Sequence, residues 1–262
     1  MTQEERRIYL IRAMQDEMPA YADRMIPPDE TAQKRLLRAL FNVRPPRPAA
    51  SEFLTIQDAY LTAEIAARGI VDGDALPTVE RNSRIAIWQG DITRLRVDAI
   101  VNAANSGMRG CFRPCHNCID NMVHTLAGIQ LRLACDTIMR AQGFEEPVGT
   151  AKITPGFNLP CRYILHTVGP MIEGPLRPSD CESLARCYRA CLALAAAHNV
   201  RSIAFCCIST GVFCFPPDRA AEIAVETVSR FLDAHDTIER VIFDVFTDAD
   251  AARYRTLLHG SE

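Results

Sequence analysis

From about residue 84 the chain alternates short apolar segments with longer amphipathic ones, and this alternation restricts the fold more than any other feature. Ile85–Gln89, Ala99–Asn102, Gly149–Thr154, Tyr163–Thr167, Ser202–Ile208 and Val241–Phe246 read as strands, with helices near 120–142, 180–198, 217–234 and 248–258. Strands that alternate with helices form a sheet covered on both faces, so the predicted class is an α/β sandwich. In such sheets ligands collect where the strands' carboxyl ends meet helix N-termini.

Residues 1–80 have a different texture and read as an N-terminal helical extension, leaving 81–262 as the main domain. Thr2 and Glu5 have capping-box spacing ahead of Ile8, Leu10, Ile11 and Met14. Pro27, Pro28 and Asp29 open a second helix carrying Leu36, Leu37, Leu40 and Phe41. Arg44-Pro45-Pro46-Arg47-Pro48 must end it, because proline lacks the amide donor and clashes with the preceding turn. A third helix is predicted over Ser51–Ala67, stopping near Gly69. No catalytic constellation lies here; the extension is either a packed layer or a docking surface.

The chain has 262 residues, 48% apolar and 23% charged, which is ample for a buried core. A net charge of -3 gives no footprint for a nucleic-acid backbone. No apolar run approaches the length of a membrane span, and Glu4, Glu5, Arg6 and Arg7 do not begin a secretion signal. A cytoplasmic protein that binds neither nucleic acid nor membrane is expected. All 11 cysteines fall between Cys111 and Cys214, and the odd count points to reduced thiols. Cys187 and Cys191 on a helix, and Cys206 and Cys207 in a strand, fit as small apolar filler.

Four stretches sit at predicted strand ends: Gln89-Gly90-Asp91-Ile92-Thr93, Asn102-Ala103-Ala104-Asn105-Ser106, His166-Thr167-Val168-Gly169-Pro170 and Ile208-Ser209-Thr210-Gly211-Val212-Phe213. Asp91 can accept from an exocyclic amine, and Asn105 can hold a ribose hydroxyl. Ser209 to Val212 bring small residues whose amides can approach a diphosphate, with a helix N-terminus after Pro216. Phe213 can cover a sugar face. Singly each is an ordinary turn, but in this order they are specific.

On these motifs, over about residues 84–246, the chain resembles the macrodomain family. The resemblance implies a mixed sheet between helices and ADP-ribose as ligand. Asp91 and Ile92 would meet the adenine, Asn105 the distal ribose, and Ser209, Thr210, Gly211, Val212 and Phe213 the diphosphate and distal ribose.

The chain departs from the common family pattern in the loop after Asn105. Hydrolytic members usually carry a glycine run there; this loop reads Gly110-Cys111-Phe112-Arg113-Pro114-Cys115-His116-Asn117-Cys118-Ile119-Asp120. Ile119-Asp120-Asn121-Met122-Val123-His124 matches the start of the family's next helix, which places Asp120 as the loop's catalytic aspartate. The substitution resembles a zinc-dependent subclass associated in bacteria with sirtuin-type ADP-ribosyltransferases and lipoate-carrier proteins. Three thiols and an imidazole within eight residues independently suit zinc. Adjacent Cys115 and His116 should diverge, so Cys111, His116 and Cys118 are the expected ligands and Cys115 a spare thiol. Three protein ligands leave an open position, the mark of a catalytic site; a closed four-ligand knuckle that only rigidifies the loop is the alternative.

The resemblance therefore implies a Zn2+-dependent hydrolase that removes mono-ADP-ribose from ester-linked Asp or Glu. Asp120, Asn105 and Cys118 would be catalytic, with Cys118, Ile119 and Asp120 also touching ADP-ribose. The acceptor class it suggests is a lipoate-carrier, glycine-cleavage H-like protein. A non-catalytic ADP-ribose reader with structural zinc and an O-acetyl-ADP-ribose deacetylase would share the pocket. A nucleic-acid-binding zinc knuckle would want more cations than Arg109 and Arg113. His124 and His166 are expected to be satisfied structural histidines, His166 at a strand end, and Trp88 to pack in the core.

Overall fold

The structure, a computed structural model, describes residues 1–259. Its first helices begin where the sequence supplies caps. Thr2 Oγ1 accepts from the Glu5 amide while the Glu5 carboxylate accepts from the Thr2 amide, starting α1 (Gln3–Glu17). Asp29 caps α2 (Glu30–Val43) by accepting from the Ala32 amide, and α3 spans Ser51–Ala67. These helices bury Leu10, Ile11, Met14, Leu37, Leu40, Phe53 and Leu61 in a second core that Ile129 joins from the rest of the chain, while Ile65 reaches into the main core. Much of their seam with the rest of the chain is polar. Gln57 accepts from the Ile129 amide and donates to Gln130, Asp58 accepts from Asn158, and Asn42 donates to Thr125.

Two short strands, β1 (Val71–Asp72) and β4 (Leu95–Arg96), pair in parallel beside the main sheet. That sheet contains β2 (Thr78–Val79), β3 (Asn82–Gln89), β5 (Ala99–Ala104), β6 (Ala151–Pro155), β7 (Tyr163–Val168), β8 (Ser202–Phe205) and β9 (Arg240–Val245). Their order is β2-β3-β9-β8-β5-β7-β6. The edge strands β2 and β6 run antiparallel to their neighbours and the five inner strands are mutually parallel, so the sheet is mixed. β5, β7 and β8 are buried almost throughout, as inner parallel strands covered on both faces must be. Helices α4 (Ile119–Ala127) and α5 (Ile129–Gln142) pack together in one layer; α6 (Pro178–Ala197), α7 (Pro217–Ala234) and α8 (Asp248–His259) form the other. The architecture is the predicted α/β/α sandwich with N-terminal helices.

Three local expectations need correction. The single helix predicted over 120–142 is broken at Gly128, whose φ is 96°. A Cβ there would lie 2.7 Å from the side-chain amides of both Gln57 and Gln130, so the break makes room for the polar seam. The strand predicted over Ser202–Ile208 stops at Phe205, and Cys206 and Cys207 lie beyond it, because the chain turns towards Ser209 at a left-handed φ of 66°. His166 lies within β7, not at its end. Among the described residues no helix is long and apolar enough to cross a membrane.

Candidate functional site

The carboxyl ends of the five parallel strands share one edge of the sheet, and the predicted site residues follow them. Asp91 comes after β3, Phe246 after β9, Ser209 after β8, Asn105 after β5 and Gly169 after β7. Strand order therefore sets these groups in a row. From β3 to β5 is three strand spacings, about 14 Å.

The loop between β5 and α4 holds the cysteine–histidine cluster. Cys118 caps α4, its sulfur accepting from the Asn121 amide. Cys111, His116 and Cys118 bring their ligand atoms within 4.8 Å of one another, and Cys111 Sγ lies 3.5 Å from His116 Nδ1. Cys115 points elsewhere: its φ is 53° and its thiol donates to the Arg35 carbonyl. Adjacent side chains thus diverge, and two thiols with one imidazole are left as a donor set. Burial, with Cys111 and Asp120 nearby, pushes the Cys118 thiol up to about 11. A divalent cation would supply the counter-charge this group lacks and hold the sulfurs as thiolates, so the residues fit a soft metal such as zinc.

Asp120 lies in the first turn of α4, buried against the sheet. Its Oδ1 accepts from Asn102 Nδ2 at 2.8 Å and its Oδ2 from Asn105 Nδ2 at 3.1 Å. Burial raises its carboxyl to about 6 despite those amides and the nearby Arg132. Asn102 Nδ2 also lies 3.1 Å from His166 Nδ1, and His166 Nε2 meets Thr154 Oγ1 at 2.9 Å. Burial lowers this imidazole to about 3, which keeps it neutral. His166 is satisfied as expected; His124 is not. Among the described residues neither ring nitrogen of His124 has a hydrogen-bond partner, and its Nε2 lies 3.6 Å from Asp120 Oδ1. Gly110 closes over that ring, where a Cβ would sit 2.7 Å from Cγ. His124, Cys135 and His166 also cluster, but both nitrogens of His166 are engaged in hydrogen bonds, which makes the group a support behind Asp120.

At the other end of the row, Asp91 Oδ1 accepts from the Thr93 amide at 3.0 Å and its Oδ2 lies 3.7 Å from Arg68 Nη1. Ile92 is buried beside it. Trp88, expected in the core, packs against it while staying half-buried, and lies beneath Gly90. Between the ends, the Ser209 hydroxyl is buried with no partner among the described residues. The loop runs so close to Gly169 that a Cβ there would lie 2.0 Å from Ser209 Oγ. Thr210 is half-buried, Gly211 and Val212 are exposed, Phe213 is half-buried, and α7 begins just past them at Pro217. Ile119, the first residue of α4, stands between Cys118 and Asp120.

Sequence reasoning passed over Phe246 and Arg68. Phe246 is 78% exposed at the end of β9, next to the Asp91 turn because the Gly90 amide donates to the Val245 carbonyl. An aromatic residue at the last strand's end was its one available signal. Arg68, at the end of α3, gave none.

A macro domain family model matches residues 101–224. A protein-ADP-ribose hydrolase of Treponema medium is 56% identical over 260 residues, covering 98% of this chain and 100% of that protein. Another, from Staphylococcus aureus strain MSSA476, is 50% identical over 221 residues, 84% of this chain and 82% of that one. Among solved structures, the Trypanosoma brucei macrodomain in complex with ADP-ribose aligns with a TM-score of 0.65 at 29% identity, covering 84% of this chain and 94% of that one. With an alternating α/β sandwich, the row of strand-end motifs and a relative matched end to end, the chain belongs to the macro domain family.

Proposed function

We propose that this chain is a zinc-dependent protein-ADP-ribose hydrolase acting on ester-linked aspartate or glutamate, with residues 1–80 an extension to a macrodomain of 81–262. The observation that carries the reading is the meeting of Cys111, His116 and Cys118 with Asp120 and Asn105 at one end of the strand-end row. The relatives' names support the activity, and the donor set supports zinc. A lipoate-carrier, glycine-cleavage H-like acceptor is supported by the subclass resemblance.

In this reading Asp91 accepts from the adenine amine, the Ile92 amide meets the ring and Phe246 stacks on it. Backbone donors of Ser209 to Phe213 and the N-terminus of α7 hold the diphosphate. Asn105, Cys118 and Ile119 bound the distal ribose. Bound zinc supplies Lewis acidity at this end of the cleft. Asp120, as a carboxylate, takes a proton from the attacking water. The water oxygen bonds to C1″ while the C1″–O bond to the acceptor breaks. The bonding pair leaves with the acceptor carboxylate, and free ADP-ribose is released.

The deciding experiment follows ADP-ribose release from an aspartate- or glutamate-modified acceptor with and without a zinc chelator, using wild type, Cys111→Ala and Phe157→Leu. Chelator-sensitive release, lost in Cys111→Ala and kept in Phe157→Leu, is expected. Tight ADP-ribose binding without release from several acceptors would leave a reader. Acetate release from O-acetyl-ADP-ribose with no release from proteins would leave a deacetylase.

A further inference from the structure

The cysteine–histidine loop is held from outside the macrodomain. Arg38, in the middle of α2, donates through Nη2 to the His116 carbonyl at 2.8 Å and to Asn121 Oδ1 at 2.9 Å, while its Nε reaches the same Oδ1 at 3.3 Å. Asn121 is fully buried and turns its own side-chain amide onto the carbonyls of Cys111, at 3.4 Å, and Arg113, at 3.0 Å. The Asn121 backbone amide donates to Cys118 Sγ at 3.4 Å. One guanidinium is thus tied, directly or through the side chain and backbone of one buried residue, Asn121, to all three residues of the donor set.

One turn further along α2, Asn42 repeats the pattern. It is 1% exposed, accepts from the Cys115 amide at 2.8 Å and donates to Thr125 Oγ1 at 2.9 Å. Cys115 is the residue with φ at 53°, so this bond holds the turn that separates Cys115 from His116. Arg35, whose carbonyl accepts the Cys115 thiol, lies on the same helix face, three residues before Arg38.

A loop with no secondary structure of its own must lose conformational freedom when it gathers three ligands around an ion. Partners that fix the loop beforehand move that cost from binding to folding, and groups that orient metal ligands govern affinity without touching the metal. We infer that Arg38 and Asn42 are positioning residues of the metal centre, through which the N-terminal helices hold loop 111–118 in its ligating shape before metal arrives. The inference rests on the zinc reading above.

The test is zinc affinity of the full-length chain, by competition with a chromophoric chelator, for wild type, Arg38→Met, Asn42→Ala and Lys34→Ala. Lys34 is the control, on α2 with its ion pairs among the described residues made to Glu30 and Glu64. Arg38→Met and Asn42→Ala should raise the zinc Kd about ten- to a hundredfold, and Lys34→Ala should leave it unchanged. Circular dichroism and the Tm of the metal-free proteins report folding separately, and at saturating zinc the kcat of Arg38→Met should return towards wild type. A folded Arg38→Met that binds zinc within about twofold of wild type overturns the inference, as does an equal loss in Lys34→Ala. If Arg38→Met does not fold, Asn42→Ala decides by the same criterion. A wild-type chain that takes up no zinc overturns the zinc reading itself.

Discussion

Replacing His166 by Gln should change how stability responds to acid, over and above any fixed cost of the new shape. His166 is wholly buried in β7 between Asn102 and Thr154, and burial lowers its imidazole from 6.5 to about 3. In the unfolded chain the same ring titrates near its ordinary value. Between those two values the unfolded state binds a proton that the folded state refuses. The stability is therefore fully present above 6.5 and is lost as pH falls towards 3. At pH 5 the ring is 6.5 − 5 = 1.5 units below its unfolded value; at about 1.4 kcal/mol per unit, the wild type loses about 2 kcal/mol relative to neutral pH. Glutamine does not titrate, and it can both donate to and accept from the same two neighbours. The stability gap between wild type and His166→Gln should therefore shift by about 2 kcal/mol in the variant's favour between pH 7.5 and pH 5. Urea unfolding followed by circular dichroism, with chelator present so that metal loss is common to both proteins, measures that shift. Parallel stability curves would mean that His166 titrates normally when folded, and the neutral support behind Asn102 and Asp120 would have to be abandoned.

Three further outcomes bear on the cleft. Asp120→Ala should lower kcat by about 10²- to 10⁴-fold while ADP-ribose still binds in calorimetry; loss of binding in proportion would argue against a role in proton transfer. Gly169→Ala places a Cβ 2.0 Å from Ser209 Oγ and 2.9 Å from Ile208 Cγ2, so the Ser209 loop must give way. That strain should cost about 1–3 kcal/mol in urea unfolding and weaken ADP binding; unchanged ADP affinity would remove this loop from the diphosphate site. Phe246→Ala removes a ring that is 78% exposed, so Tm should hardly move. AMP affinity should fall by about 1–3 kcal/mol, and an unaltered AMP Kd would exclude stacking.

Features carried by a few adjacent residues were legible in the sequence. The Thr2–Glu5 box, the Asp29 cap and the span Ser51–Ala67 lie where spacing and capping chemistry put them. The separation of Cys115 from its neighbours followed from adjacency alone. The break at Gly128 was hidden because apolar periodicity runs on through it, while its cause lies on α3, in Gln57. Cys206 and Cys207 suit a strand, and only the turn into Ser209 ends it. The unpartnered ring of His124 depends on Gly110 folding over it. Arg38 to His116 and Arg68 to Asp91 are side-chain meetings between distant segments, and no local pattern announces them.

The topology also bears on how the chain comes to be made. β3 precedes the other long strands of the sheet in sequence and β9 is the last, yet they are neighbours: Ile85 pairs with Val241 and Gln89 with Val245. During vectorial synthesis the cysteine–histidine loop, α4 and the β5–β7 pair can emerge and associate early. The Asp91 turn and Phe246 cannot meet until residues 240–245 have left the ribosome. Pairings so distant in sequence form slowly, and the apolar edge of β3 is exposed meanwhile. A nascent chain would therefore acquire its cysteine–histidine loop well before its nucleotide end, and truncations that remove β9 should need chaperones more than those that remove α1.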